Sequence, residues 1–253
     1  MAAPMVTVAL TIAGVDSGGG AGIAADLKTF EAHGVWGTCA VVAVTAQDTA
    51  GVHGVETISP WLVREQILAV GRDFGIAAVK TGMLATPAHV EAVADALEEL
   101  GRPLLVVDPV LESTSGTRLL DSTAALRDRL LPLATVVTPN RDEATALTGL
   151  DDLEASAAAL GVPVVLITGS ETARDLLWAG SARWLAATAL DVAHTHGTGC
   201  VLSAAITAEL ARGMDPADAC VAGKAFVTGA IGAGLALGQG VGPVNPGWRS
   251  GVW

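Results

Sequence analysis

Two hydrophobic periods alternate along the chain. Unbroken apolar, largely β-branched runs at 6–14 (VTVALTIAG), 37–47, 77–84, 103–110, 135–140 and 163–169 read as strands buried on both faces. Between them, apolar residues recur three and four apart. That spacing predicts helices over 21–34, 59–75, 86–101, 122–134 and 141–149, and two more over 197–213 and 215–238 after the last strand. Ser59-Pro60 and Thr86-Pro87 give two of the helices a capping residue followed by proline, and Gly34 closes the first.

Strand-helix alternation predicts an α/β fold, a mostly parallel central sheet with helices on both faces. No linker, repeat or low-complexity tract interrupts it, so residues 1–253 are expected to form one domain. In such sheets ligands bind beyond the carboxyl ends of the strands, which directs attention to the loops that follow strands.

Composition narrows the picture. The 253 residues are 51% hydrophobic, enough for a large core. Fourteen basic residues against 26 acidic ones give a net charge of −12, unsuited to nucleic acid or an anionic membrane surface. Three cysteines, Cys39, Cys200 and Cys220, fit neither a zinc ribbon nor a disulfide frame, and a reducing cytoplasm is the expected setting. The apolar N-terminus lacks a basic segment and reads as a strand rather than a signal peptide.

The loops carry the chemistry. "GVDSGGGAGI" (14–23) has the glycines for close ligand approach, flanked by Asp16 and Asp26, but no Gly-Lys-Ser/Thr of a phosphate-binding P-loop. Gln47 follows the second strand and can donate and accept. Met83 follows the third and offers a soft apolar surface. Asp108 ends the fourth. Asn140 and Glu143 begin a helix, where they read either as a capping box or as groups holding Mg²⁺ through water. "HTHGTGC" (194–200) precedes an apolar helix. Gly197, Thr198, Gly199 and Cys200 would then form an anion cradle at a helix N-terminus, whose field is expected to favour a thiolate at Cys200. A zinc site on His194 and His196 lacks further ligands, and a Cys–His nucleophile remains open. His194 reads as a solvated loop residue.

These blocks, in this order, resemble the hydroxymethylpyrimidine/phosphomethylpyrimidine kinases of thiamin biosynthesis, in the ribokinase-like superfamily. "LTIAGVDSGGGAGIAADLKTF", "VTAQDTAGV", "VKTGML", "VVDPV", "TPNRDEA", "THGTGC" and "GVGPVNP" span nearly the whole chain. The resemblance implies a three-layer sandwich and Mg-ATP-dependent phosphorylation of a pyrimidine alcohol and its monophosphate. It implies that Gly14, Asp26, Gln47 and Met83 line the pyrimidine pocket. Asp108, Asn140 and Glu143 would face the magnesium, and Gly197, Thr198 and Gly199 would hold the transferred phosphoryl group. Cys200 would be the base, and Thr168, Thr195 and Lys224 would lie by the nucleotide. A homodimer is also implied. Two departures stand out: Thr114 and Thr168 occupy positions where the family usually carries lysine, and Arg118 or Arg174 is a candidate replacement cation. The segment 170–185 is short for the family. A pyridoxine-type kinase and a non-catalytic binding protein on the same fold are the alternative readings.

Overall fold

The computed structural model describes residues 6–111, 123–169, 174–186, 190 and 192–251. Nine strands form a single sheet: β1 (Val8–Asp16), β2 (Trp36–Gln47), β3 (Val52–Thr57), β4 (Ile76–Thr81), β5 (Leu104–Val107), β6 (Val136–Val137), β7 (Val164–Ile167), β8 (Arg174–Trp178) and β9 (Ala182–Ala186). Their spatial order is β3-β2-β1-β4-β5-β6-β7-β8-β9. From β2 to β7 every pairing is parallel, and β3, β8 and β9 are added antiparallel at the edges.

The helices are α1 (Gly22–Ala32), α2 (Pro60–Asp73), α3 (Pro87–Glu99), a short α4 (Thr123–Ala125), α5 (Arg141–Thr148), α6 (Leu153–Ala159), α7 (Thr198–Ala211) and α8 (Pro216–Gly232). One face of the sheet packs on α2, α3, α5 and α6 through residues such as Ile67, Val93, Leu97 and Leu147. The other packs on α7 and α8 through Val201, Ile206, Phe226 and Ala230. All ten residues from Val201 to Leu210 are buried, because α7 lies between the sheet, α1 and α8. A helix apolar on all sides has to be enclosed in this way.

The predicted strands and most helices are present, with Ser59 and Thr86 capping α2 and α3 as expected. Two predictions need correction, and three elements were missed. The helix expected over 122–134 breaks after α4 into a π turn (Leu126–Leu130) and a 3-10 turn (Leu131–Leu133), where Pro132 cannot donate to a helical ladder. The last helix stops at Gly232 rather than 238. Strand β3 and helix α6 were not anticipated: β3 is almost wholly exposed and so lacks an apolar pattern. The β8–β9 hairpin was missed too, although Ala179-Gly180-Ser181 between two short apolar runs is a turn signal.

The chain runs outward to β2 on one side of β1 and to β4 on the other. In sheets with this order, ligands bind in the crevice beyond the carboxyl ends of the strands where the loops after β1 and β4 part.

Candidate active site

The first wall of the crevice is the glycine loop after β1. The β1–β2 register slips between Ala13 and Gly14, which turns the chain toward Met83 after β4. A Cβ on Gly14 would lie 2.9 Å from Met83 Sδ, so the two residues are neighbours.

Asp16 organises the rest of that loop. Its Oδ1 accepts from the Gly18 N–H at 2.7 Å, and its Oδ2 accepts from Gly20 N–H at 3.0 Å and Ala21 N–H at 2.9 Å. The same Oδ2 lies 2.9 Å from His196 Nε2. A carboxylate only accepts, so that nitrogen carries the proton. Burial alone would raise the Asp16 carboxyl, but the bonds from His196 and from the loop N–H groups hold it below the usual range. Gln47 Nε2 sits 3.5 Å from the same protonated nitrogen, donor against donor, so this contact does not use up its N–H groups. Its Oε1 accepts from Thr45 Oγ1 at 3.2 Å.

The second wall is the start of α7. Gly197, the N-cap, has φ +81, and a Cβ there would come within 1.9 Å of the Gly20 carbonyl oxygen. Only glycine permits both the left-handed backbone and this approach. Strain is thereby avoided where the two loops meet. Thr198 turns inward on Thr195, its hydroxyl donating to the Thr195 carbonyl at 2.7 Å. Among the described residues, the N–H groups of Gly197, Gly199 and Cys200 have no hydrogen-bond partner. That is the donor set of an anion cradle. His196 is bridged to Pro243 of the closing "GVGPVNP" block, and His194 Nδ1 accepts from Gly242 N–H at 3.2 Å. His194 is therefore half-buried and bonded, not solvated as expected.

Cys200 Sγ accepts from Gly22 N–H at 3.4 Å. The thiolate expected from the helix field is not what the surroundings favour. Burial pushes the thiol up to about 12; Lys80 and the Gly22 N–H oppose this, while Asp26 and Asp108 add to it. The helix terminus does not outweigh enclosure beside two carboxylates.

Beneath Cys200, Lys80 on β4 donates to Asp26 Oδ1 at 2.6 Å, and Asp26 Oδ2 accepts from Thr11 Oγ1 at 2.6 Å. Both side chains are fully enclosed. Asp26 was expected to line the pocket, but both of its oxygens are engaged below the surface. Lys80, Thr11 and Ser203 were not singled out from the sequence. The signal for Lys80 was legible: a lysine inside an apolar strand requires a buried partner.

Asp108, after β5, accepts from Ser203 Oγ at 2.9 Å. Burial raises its carboxyl, with Lys80 and Ser203 opposing. Asn140 and Glu143 form a reciprocal capping box at α5: Asn140 Oδ1 accepts from Glu143 N–H and Glu143 Oε2 accepts from Asn140 N–H, both at 2.8 Å. Glu143 is pushed up to about 8, first by burial and then by Asp108. A carboxylate whose charge is disfavoured by a neighbouring carboxylate suits a nearby divalent cation. The buried Thr138 hydroxyl, one residue past the Val107–Val137 pair, is without a hydrogen-bond partner among the described residues. Among the described residues no group of three His, Cys, Asp or Glu side chains could hold a metal alone.

Farther along the sheet, Thr168 follows β7 and its N–H donates to the Pro139 carbonyl at 2.9 Å, which sets it beside Asn140. The next residue, Gly169, donates to Asp175 Oδ1 at 3.0 Å, and Asp175 Oδ2 pairs with Lys224. Lys224 thus braces the loop after β7. The exposed Arg174 stacks over Trp184 at 5.3 Å on the β8–β9 hairpin. Thr114 and Arg118 lie outside the described residues.

Free N–H groups at a helix start, facing a glycine loop, are parts that a small-molecule phosphotransferase can use. Residues 16–245 match the phosphomethylpyrimidine kinase family, and the chain belongs to it. It is 48% identical to a hydroxymethylpyrimidine/phosphomethylpyrimidine kinase of Streptomyces coelicolor, covering 98% of both chains. It is 42% identical to a pyridoxine kinase of Bacillus subtilis over 94% of each. The solved ADP complex of Bacillus subtilis pyridoxal kinase superposes with a TM-score of 0.90 at 40% identity, covering 97% of this chain and 99% of that one. A phosphomethylpyrimidine kinase structure from Clostridium difficile superposes at 0.78 with 38% identity, covering 88% and 99%. The non-catalytic reading is set aside: the chain is a kinase.

Proposed function

We propose that the chain transfers the γ-phosphoryl group of ATP to the hydroxymethyl group of 4-amino-5-hydroxymethyl-2-methylpyrimidine, and to the phosphate of the resulting monophosphate, in thiamin biosynthesis. The observation that carries this is the unpartnered set of N–H groups at Gly197, Gly199 and Cys200, held against the glycine loop by Asp16 and His196.

In this reading Gly14, Met83 and Gln47 hold the pyrimidine, with Met83 on the ring and the Gln47 amide on a polar edge. Asp26 supports the pocket from below through Lys80 and Thr11. Cys200 takes the substrate hydroxyl proton as that oxygen bonds the γ-phosphorus. The bond from phosphorus to the bridging oxygen of ADP breaks, and ADP leaves with its electrons. The free N–H groups hold the phosphoryl oxygens as charge spreads over them. Asp108, Asn140 and Glu143 would hold magnesium, which when bound offsets phosphate charge. Thr168, Thr195 and the Lys224–Asp175 brace shape the nucleotide side. The pyrimidine substrate is free in the cytoplasm in this reading. No helix of the described residues is long and apolar enough to cross a membrane. A homodimer is part of the reading.

Pyridoxine is the second reading, favoured by the similarity to the Bacillus subtilis pyridoxine kinase. Product analysis separates the two. The protein is incubated with Mg-ATP and either the pyrimidine alcohol, its monophosphate or pyridoxine. Phosphorylation of both pyrimidines is expected. Product from pyridoxine alone would move the assignment to the second reading.

A further inference from the structure

Past α8 the chain returns to the crevice as residues 238–244 (GQGVGPV), and there it meets Thr49, two residues beyond Gln47. Thr49 Oγ1 accepts from Gln239 N–H at 3.1 Å and from Gly240 N–H at 3.0 Å. The Thr49 carbonyl accepts from Val241 N–H at 3.0 Å. Three successive N–H groups therefore close on one residue. Glycine makes the approach possible: a Cβ on Gly238 would collide with Thr49 Oγ1, and one on Gly240 with the Thr49 carbonyl oxygen.

The turn between β2 and β3 does not need this clasp for its own shape. Asp48 Oδ1 already accepts from Ala50 N–H at 2.8 Å and Gly51 N–H at 3.1 Å, and Asp48 N–H donates to the Gly51 carbonyl at 3.1 Å. What the clasp fixes is where the turn sits. The same returning segment holds His196 from both sides. His196 N–H donates to the Gly242 carbonyl at 3.1 Å, and the His196 carbonyl accepts from Val244 N–H at 3.0 Å. His196 bonds Asp16, and the next residue, Ser17, grips the main chain of Gln47. Ser17 Oγ donates to the Gln47 carbonyl at 2.7 Å and accepts from Gln47 N–H at 2.8 Å. The bonds thus form a closed ring, from Gln47 through Ser17, Asp16, His196 and residues 242–239 to Thr49 and back.

We infer that Thr49 is a positioning residue for the heterocycle: its clasp on residues 239–241 closes the ring of bonds that sets Gln47 at a fixed place relative to the free N–H groups of α7. The inference rests on the reading that Gln47 faces the substrate ring. It assigns no contact between Thr49 and substrate. Thr49 acts through Gln47, because a loop already ordered in the binding geometry does not have to be ordered by the ligand.

Thr49→Val keeps the branched shape and removes the acceptor, whereas Thr49→Ser keeps the acceptor. Amide hydrogen exchange read by mass spectrometry reports the clasp without turnover, and steady-state kinetics report its consequence. In Thr49→Val, exchange in peptides covering 236–244 is expected to quicken by about tenfold, with β4 unchanged as the internal control. KM for the pyrimidine alcohol is expected to rise by about tenfold, since two bonds of modest worth shift the ordered fraction of the loop by that factor. Both kcat and KM for ATP should stay within about twofold, because the bound geometry is recovered once substrate is in place. Thr49→Ser should restore exchange and KM together. Unchanged exchange in Thr49→Val overturns the inference. Faster exchange with a parent-like pyrimidine KM does so as well, reducing the clasp to a surface contact, and so does a KM for ATP that rises in step. A parent-like KM in Gln47→Ala would overturn the pocket reading and this inference with it, whereas a raised KM there beside a parent-like Thr49→Val overturns this inference alone.

Discussion

Asp16 Oδ2 and His196 Nε2 meet at 2.9 Å, 180 residues apart in sequence, and join the two loops that face each other across the crevice. The carboxylate also collects three backbone N–H groups of the glycine loop. His196→Ala therefore frees one side of the clamp while leaving the loop bonds. Stability is expected to fall by about 1–3 kcal/mol, the range for a buried charged bond, with kcat/KM down by roughly tenfold or more. Asp16→Ala should be worse on both counts, since three N–H groups lose their acceptor. Thermal unfolding and steady-state kinetics check the order. If Asp16→Ala proved milder than His196→Ala, the loop would not depend on the carboxylate.

Cys200 stands at the start of α7 with its thiol pushed up to about 12. A base this reluctant should give a rate that climbs with pH through the neutral range and beyond, until another group or the fold gives way. Cys200→Ala is expected to lose roughly 10²- to 10⁴-fold in kcat, the usual worth of a general base, with KM for the alcohol little changed. Binding of the pyrimidine by calorimetry gives the control. Turnover near the parent level would remove Cys200 from the chemistry.

The sequence made the parallel core legible because its strands are buried on both faces and read as continuous apolar runs. β3 escaped because exposed edge residues carry no such pattern, and β8–β9 because two five-residue strands leave a weak one. The site was legible as a set of loops after strands, which is how the crevice assembles. Its electrostatics were not. The helix N-terminus at Cys200 suggested a thiolate, yet the burial and the two carboxylates that raise the thiol are tertiary facts. Asn140 and Glu143 were readable as a capping box or as metal-facing groups, and the geometry is compatible with both, since the box leaves Glu143 near Asp108.

That proximity has a pH signature. Glu143 is raised to about 8, so the folded state holds its proton more firmly than the unfolded chain does. Its contribution to stability is then greatest below the ordinary glutamate range and is lost as pH rises toward 8. Magnesium competes with that proton. Apparent Mg²⁺ affinity in the presence of ATP should strengthen with pH up to about 8 and level off beyond it. In Glu143→Gln the pH dependence should flatten and the affinity drop. A Mg²⁺ titration unchanged in Glu143→Gln would leave the residue with capping alone.

Gln47 offers the sharpest test of the heterocycle pocket. The Thr45 hydroxyl beside its Oε1 at 3.2 Å also donates to the Val15 carbonyl at 2.9 Å, and its Nε2 faces His196 Nε2, itself a donor. Both ends of the amide are therefore open to a ring nitrogen or a hydroxyl. Gln47→Ala should raise KM for the pyrimidine by about tenfold, the worth of one lost hydrogen bond, and leave KM for ATP nearly constant. Gln47→Glu removes the donors but keeps the length, and it adds a negative charge next to Asp16. If the amide donates to the ring, Gln47→Glu must be at least as damaging as Gln47→Ala. If it accepts instead, Gln47→Glu should recover part of the loss. Equal effects on both substrates in Gln47→Ala would place the residue outside the pocket and leave the ring to Gly14 and Met83.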